Sequence, residues 1–432
     1  MLVWVVGVSA QKEYRAPESY VDGRSQAVLR MTIDDEGMVM PCGTGPDSCD
    51  TYGAREAVVV EHEGVDYLHY DGAGKDGWLS CLATSRDLRH WEKHGLTLGE
   101  AGRPDSKSAS SPWLVNDGAK WHMFYVGTQF CTPAPDCIPA TPYVTLTAEA
   151  DHPAGPWRKR YDIIPFTNEA GTYYSDTASP GDVVEQDGEY KMFFGAAAFD
   201  KEGKLGRTVG IARTRDLGSA WTVDPQPIFP PAEQCENTSL YYEPDNGTWF
   251  LFTNHIGIHP DRGEYTDAVW VYWTKDLNRW DPQDKAIVID CQNSKEVKGA
   301  IGMPSVIRVG DRLAMLYDGA TGENYGHMGR GINLAWLALP LVPPAKLRYN
   351  KVLKRRQEIR PPFCCCSILE QSRQDLSDRF DSRAPSFYLA IFQKRITGER
   401  FVRNFKIGNQ PQAAVFDGKM KRSVLRRFEF FK

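Results

Sequence analysis

Residues 178–197 read ASPGDVVEQDGEYKMFFGAA, and residues 209–221 follow with VGIARTRDLGSAW. The first stretch is a short extended run, an Asp-Gly turn at Asp187-Gly188, and a strand that ends in aromatic residues and Gly. The second is another alternating strand and a polar turn that closes on Trp221. Alternation with β-branched and aromatic enrichment marks strands. Asp-Gly is a hairpin turn because both of its positions accept positive φ.

The same unit recurs on both sides. AREAVVVEHEGVDYLHYDGAG (54–74) leads to CLATSRDLRHW, ending at Trp91. SSPWLVNDGAKWHMFYVGT (110–128) leads to YVTLTAEADHPAGPW, ending at Trp157. ENTSLYYEPDNGTWFLFTNH (236–255) leads to VWVYWTKDLNRW, ending at Trp280. GMPSVIRVGDRLAMLYDGA (302–320) leads to GINLAWLALP and has no closing Trp. Five such units cannot each bury two faces alone, so they stack radially. The predicted fold is all-β: a five-bladed β-propeller over residues 50–345, with Asp117-Gly118 and Asn246-Gly247 as further hairpin turns. The closing Trp residues read as packing between blades.

The flanks differ from the repeats. Residues 1–49 open on the apolar MLVWVVGVSA, which reads either as a clipped secretion signal or as a first strand. Residues 346–432 carry 21 basic and 8 acidic residues, leaving 30 basic and 48 acidic in the first 345. This tail has no blade pattern and reads as a poorly ordered basic extension outside the propeller. The acidic body argues against nucleic acid and suits a neutral polyhydroxylated ligand. No apolar run is long enough for a membrane-spanning helix. Two close cysteine pairs, Cys42/Cys49 and Cys131/Cys137, sit in turn-rich loops. Read as loop disulfides, they place the protein outside the cell or in a periplasm; free thiols in a cytosolic protein are the alternative.

Three copies of the element running from Thr84 to Trp91, Thr214 to Trp221 and Thr274 to Trp280, in register with the hairpins, resemble the five-bladed propeller glycosidases. That superfamily includes glycoside hydrolase family 43 and the related families 32, 62, 68, 117 and 130. The resemblance implies cleavage of glycosidic bonds in oligo- or polysaccharides, inverting by default. It also implies three acidic groups at one mouth of the central channel, from blades one, three and four. Glycoside cleavage itself requires one protonated carboxyl and one ionised carboxylate.

The carboxylates near the innermost strand starts are therefore the candidates. Glu236 is the expected acid. Asp50 is ranked just above Glu56 as base, because the family's Asp-Pro falls here on Arg55-Glu56-Ala57. In blade three the expected Asp falls on Ser179, so Asp176 takes its place, with Asp182 next. Asp105 and Glu233 occupy strand starts too. Arg55, Trp113, Asp182 and His255 are candidate sugar contacts, Trp113 by stacking. Asp71 and Asp318, in two Tyr-Asp-Gly segments, read as turn residues. No cofactor is required, and the sequence has no convincing metal-ligand spacing; a Ca²⁺ in the channel is allowed only by analogy. Phosphorolysis, as in family 130, ranks low because the mouth segments offer only Arg55, Lys107 and Lys298. A non-catalytic glycan- or protein-binding propeller is the rival reading.

Overall fold

In a computed structural model, residues 27–99, 101–259, 263–344, 403–407 and 410–414 are described. The alternating segments form strands throughout the first unit. Asp187 and Gly188 both take positive φ, 57° and 72°, as a two-residue hairpin requires. Glu63-Gly64, which carries no turn dipeptide of that kind, does the same at 52° and 74°. At Asp117-Gly118 and Asn246-Gly247 only the glycine is left-handed.

Five antiparallel blades result. The chain enters through β1 (Asp34–Met40). Blade one is β2 (Gly53–His62), β3 (Val65–Gly74), β4 (Gly77–Ser85) and β5 (Glu92–Leu96). Blade two is β6 (Ser108–Asn116), β7 (Trp121–Thr128), β8 (Val144–Ala150) and β9 (Arg158–Lys159). Blade three has a divided inner strand, β10 (Thr177–Ser179) and β11 (Val183–Gln186), then β12 (Glu189–Phe199), β13 (Leu205–Thr214) and β14 (Thr222–Val223). Blade four is β15 (Cys235–Glu243), β16 (Thr248–His259), β17 (Gly263–Thr274) and β18 (Lys285–Asp290). Blade five has inner pieces β19 (Val297–Ile301) and β20 (Ser305–Val309), then β21 (Arg312–Thr321) and β22 (Gly331–Ala338). Its fourth strand is β1, which pairs antiparallel with β22. The N-terminal strand thus closes the ring by covering the outer edge of β22 in blade five.

The closing Trp residues seal the blades. Trp157 meets His69 of blade one edge-on at 5.8 Å, Trp221 meets Phe124 of blade two at 5.3 Å, and Trp280 meets Phe193 of blade three at 6.0 Å. Each therefore packs onto the preceding blade. Trp91 packs against the cluster holding Ala314, Leu316 and Trp336 of blade five.

Two devices repeat and decide where acidic side chains point. The first is a one-residue bulge in the inner strand of every blade. It follows Arg55, Ser110, Ser179, Glu236 and Ile301, whose strand-two partners are Asp71, Val126, Gly195, Asn254 and Gly319. At three bulges the extra residue is left-handed: Glu56 (49°), Ser111 (49°) and Asn237 (50°). The second device is an acid–Tyr–Lys clasp inside a blade. Asp50 accepts from Tyr70 (3.3 Å) and Lys93; Asp105 from Tyr125 (3.1 Å) and Lys159 (2.8 Å); Glu233 from Tyr272 (2.8 Å) and Lys285. Each clasp ties the approach to the inner strand to the outermost strand.

The second unit, Tyr349–Lys432, contains a hairpin of β23 (Arg403–Ile407) and β24 (Gln410–Ala414). The expectations for MLVWVVGVSA and for most of the basic tail fall outside the described residues.

Candidate active site

The bulges of blades one to four bring residues to one pocket of about 300 Å³ in the first unit. Its lining includes Glu56 and Arg55 from blade one, Ser111 from blade two, Ser179 from blade three, Glu236 and Glu264 from blade four, and His327 from blade five. Tyr143, Arg207 and Tyr265 also line it.

Glu56 sits at the apex of its bulge. Ser111 donates its hydroxyl to the Glu56 carboxylate, and the Glu56 amide donates to Asp318 at 3.0 Å. Arg55 Nε lies 3.7 Å from Glu56 and 3.9 Å from Asp71, with its guanidinium 4.1 Å above the Trp78 ring. Arg55 also donates to His327 Nδ1 at 2.6 Å. An Arg cannot accept, so the neutral ring carries its proton on Nε2. Burial and the Arg55 and Arg330 cations hold the His327 pKa well below its ordinary value, which keeps that ring neutral. Across the pocket, Arg207 donates to Glu236 at 2.9 Å and to Glu264 at 2.9 Å, and Asn254 donates to Glu236 at 3.4 Å.

Beneath these groups lie Asp71 and Asp318. Neither is a turn residue. Both are fully buried inside strands β3 and β21. Asp71 accepts the Ser111 amide at 2.6 Å, and Asp318 accepts Arg330 at 2.8 Å. Burial and the neighbouring Glu56 push the Asp71 carboxyl well up, against the pull of Arg55.

Of the residues chosen from sequence, Glu56, Arg55 and Glu236 converge here. Asp50 does not. It is wholly buried as the blade-one clasp, with its oxygens taken by Gly45, Tyr70 and Lys93. Its equivalents are Asp105 and Glu233, so its position reports architecture. Asp176 lies outside the pocket lining, and its carboxylate accepts from Ser175 Oγ (2.8 Å) and the Phe199 amide (3.3 Å). Asp182 ties adjacent inner strands by accepting the Val183 and Leu240 amides, at 2.8 and 2.7 Å. Trp113 lies past the bulge, buried in the core with Val58 and Met303. His255 is buried, stacked on Trp270 at 3.6 Å and paired with Asp267. The sequence reading missed Arg207, Tyr143, Glu264, Tyr265 and His327, which lie on third strands and connecting loops without a motif.

The cysteine pairings also differ. All seven described cysteines are free thiols, and Cys49 faces Cys81 of β4. Among the described residues no three His, Cys, Asp or Glu side chains converge as metal ligands.

No family model matches the chain. Over 100 residues it is 27% identical to a 1,2-β-oligomannan phosphorylase of Thermoanaerobacter sp. (strain X514), covering 22% of this chain and 33% of that protein. The match thus spans about a third of that relative's length. A solved glycoside hydrolase aligns with TM-score 0.54 at 16% identity, covering 74% of this chain and 96% of that one. A structure from the GH130 family, described as mannoside phosphorylases that include hydrolases of β-1,2 mannosidic linkages in Candida mannan, aligns with TM-score 0.51. Its identity is 13%, covering 73% of this chain and 98% of that one. At these identities the likeness is one of fold: residues 27–344 form a five-bladed propeller of the kind found in glycoside hydrolases.

Proposed function

We propose that the protein is a glycosidase acting on oligo- or polysaccharides, with Glu56 as base and Glu236 as acid. The observation behind this reading is the presence of two carboxylates, at the bulges of blades one and four, in one pocket. Ser111 and the backbone fix Glu56, and Arg207 and Asn254 fix Glu236. Two held carboxyls in one pocket supply the two roles that glycosidic cleavage needs. The fold likeness and the short phosphorylase match support the same class of substrate. A screen of aryl glycosides and polysaccharides, followed by NMR of the first-formed anomer, identifies the sugar and tests for inversion. Glu236→Gln lowers turnover of the natural linkage by about 10²–10⁴. Full hydrolysis by that variant would remove the proposal.

Phosphorolysis gains support that the sequence did not offer. Lys107 and Lys298 do not line the pocket, but Arg207 and His327 join Arg55 there, giving two guanidiniums and an N–H donor. A rate that rises with inorganic phosphate, with a sugar 1-phosphate as product, would select this reading over hydrolysis.

A further inference from the structure

The segment leading into the strand that carries Glu56 lies pressed against blade one, and a thiol pair marks the contact. Cys49 and Cys81 belong to one buried cluster, with Leu68, Tyr70 and Ala83. Gly72 of β3 lies between them. A methyl group there would fall 2.5 Å from the Cys49 carbonyl oxygen and 2.5 Å from the Cys81 sulfur. Those two atoms are therefore no more than about 5 Å apart, which sets the Cys81 sulfur against the Cys49 backbone. Each thiol shifts the other's protonation equilibrium, so the two side chains are neighbours. The sequence neighbour of Cys49 in its loop, Cys42, is half-buried near Asp50 and Lys93.

We infer that Cys49 and Cys81 are a built disulfide site that staples the 42–50 segment to β4 when the chain folds under oxidising conditions. This inference is independent of the glycosidase reading.

The chemistry is ordinary exchange with a small disulfide such as oxidised glutathione. Cys49 loses its proton and its sulfur attacks the glutathione disulfide, releasing one glutathione thiolate. Cys81 then loses its proton and displaces the second glutathione from the mixed disulfide. Two protons and two electrons leave the protein, and two reduced glutathiones form. The order follows the surroundings. The Cys81 side chain holds the Cys49 thiol below its ordinary pKa, while Cys81 is held above it and is the more deeply buried. The bond joins residues 32 positions apart, a loop long enough to restrict the unfolded chain appreciably.

The test is to refold the full chain with oxidised and reduced glutathione, alkylate remaining thiols, and map peptides without reduction. The expected result is a peptide linking Cys49 to Cys81, with Cys42 alkylated. The oxidised protein should also melt roughly 5–10 °C above its reduced form. Cys81→Ser should abolish both the linked peptide and the melting difference. Cys42→Ser should leave both intact, which separates this site from a Cys42–Cys49 loop. A Cys42–Cys49 peptide, or complete alkylation of Cys49 and Cys81 after oxidative refolding, would overturn the assignment.

Discussion

Asp50→Asn and Glu56→Gln separate architecture from chemistry. Asp50 is wholly buried and faces Lys93, whose side chain is only 7% exposed. Asp50→Asn leaves that ammonium buried without its counter-charge. Breaking a buried pair from one side costs about 3–5 kcal/mol. At roughly 2–4 °C per kcal/mol for a chain of this size, the melting point falls by about 6–20 °C. The pocket groups are untouched, so the folded fraction should turn over substrate at nearly the parental rate. Removing both charges with Asp50→Asn/Lys93→Met should restore much of the stability, because the uncompensated ion is gone. Glu56→Gln should behave in the opposite way. It keeps the volume and an acceptor for Ser111, so melting shifts by only a few degrees. Turnover falls by about 10²–10⁴. Differential scanning fluorimetry and rates measured well below the lower melting point give both quantities on the same samples. Unshifted melting in Asp50→Asn, together with a rate loss matching that of Glu56→Gln, would refute the reasoning and return the base role to Asp50.

Two further outcomes follow from the fold. Trp221→Ala opens the seam between blades two and three, where the indole is 7% exposed and edge-on to Phe124; it should cost about 3–5 kcal/mol in urea unfolding, and Trp221→Phe distinctly less. Burial raises the Asp182 carboxyl from 3.8 to about 6. The folded protein therefore keeps a proton that the unfolded chain releases at lower pH. This contribution to stability is fully present below about pH 4 and declines by about 3 kcal/mol as pH rises through 6. Asp182→Asn should flatten that decline relative to the parent in urea titrations from pH 4 to 7, and parallel curves would contradict it.

The fold was legible because its signals are local. Alternating strands, Asp187-Gly188 and the closing Trp residues each act within a few residues, and the seams at Trp157, Trp221 and Trp280 are where such residues would pack. The site was only partly legible because a bulge shifts which side chains face the pocket, and a one-residue shift reverses the face. Nothing in AREAVVV announces that Glu56 has φ 49°. Asp50 was attractive because it precedes the strand, but a residue there sits at the clasp and not at the pocket. Arg207 and His327 reach the pocket through β13 and the loop before β22, and only tertiary structure brings those together with β2.

The Tyr-Asp-Gly segments carry the more instructive misreading. A non-glycine residue in the left-handed region is strained by about 1–3 kcal/mol and persists only where its surroundings hold it. Glu56 and Ser111 are both in that state, and each is held through its amide by a buried carboxylate of the preceding blade. Asp318 of blade five takes the Glu56 amide, and Asp71 of blade one takes the Ser111 amide. The buried acceptors in turn face cations: Asp318 bonds Arg330, and Asp71 lies 3.9 Å from Arg55. Ser111 then returns its hydroxyl to Glu56. The strained bulges, the two acids beneath them and the two arginines thus form one interdependent network across three blades. Its consequence is a fixed Glu56 carboxylate at the pocket. The sequence displays Asp71 and Asp318 as ordinary turn residues because their partners lie in different repeats, 40 and 262 positions away.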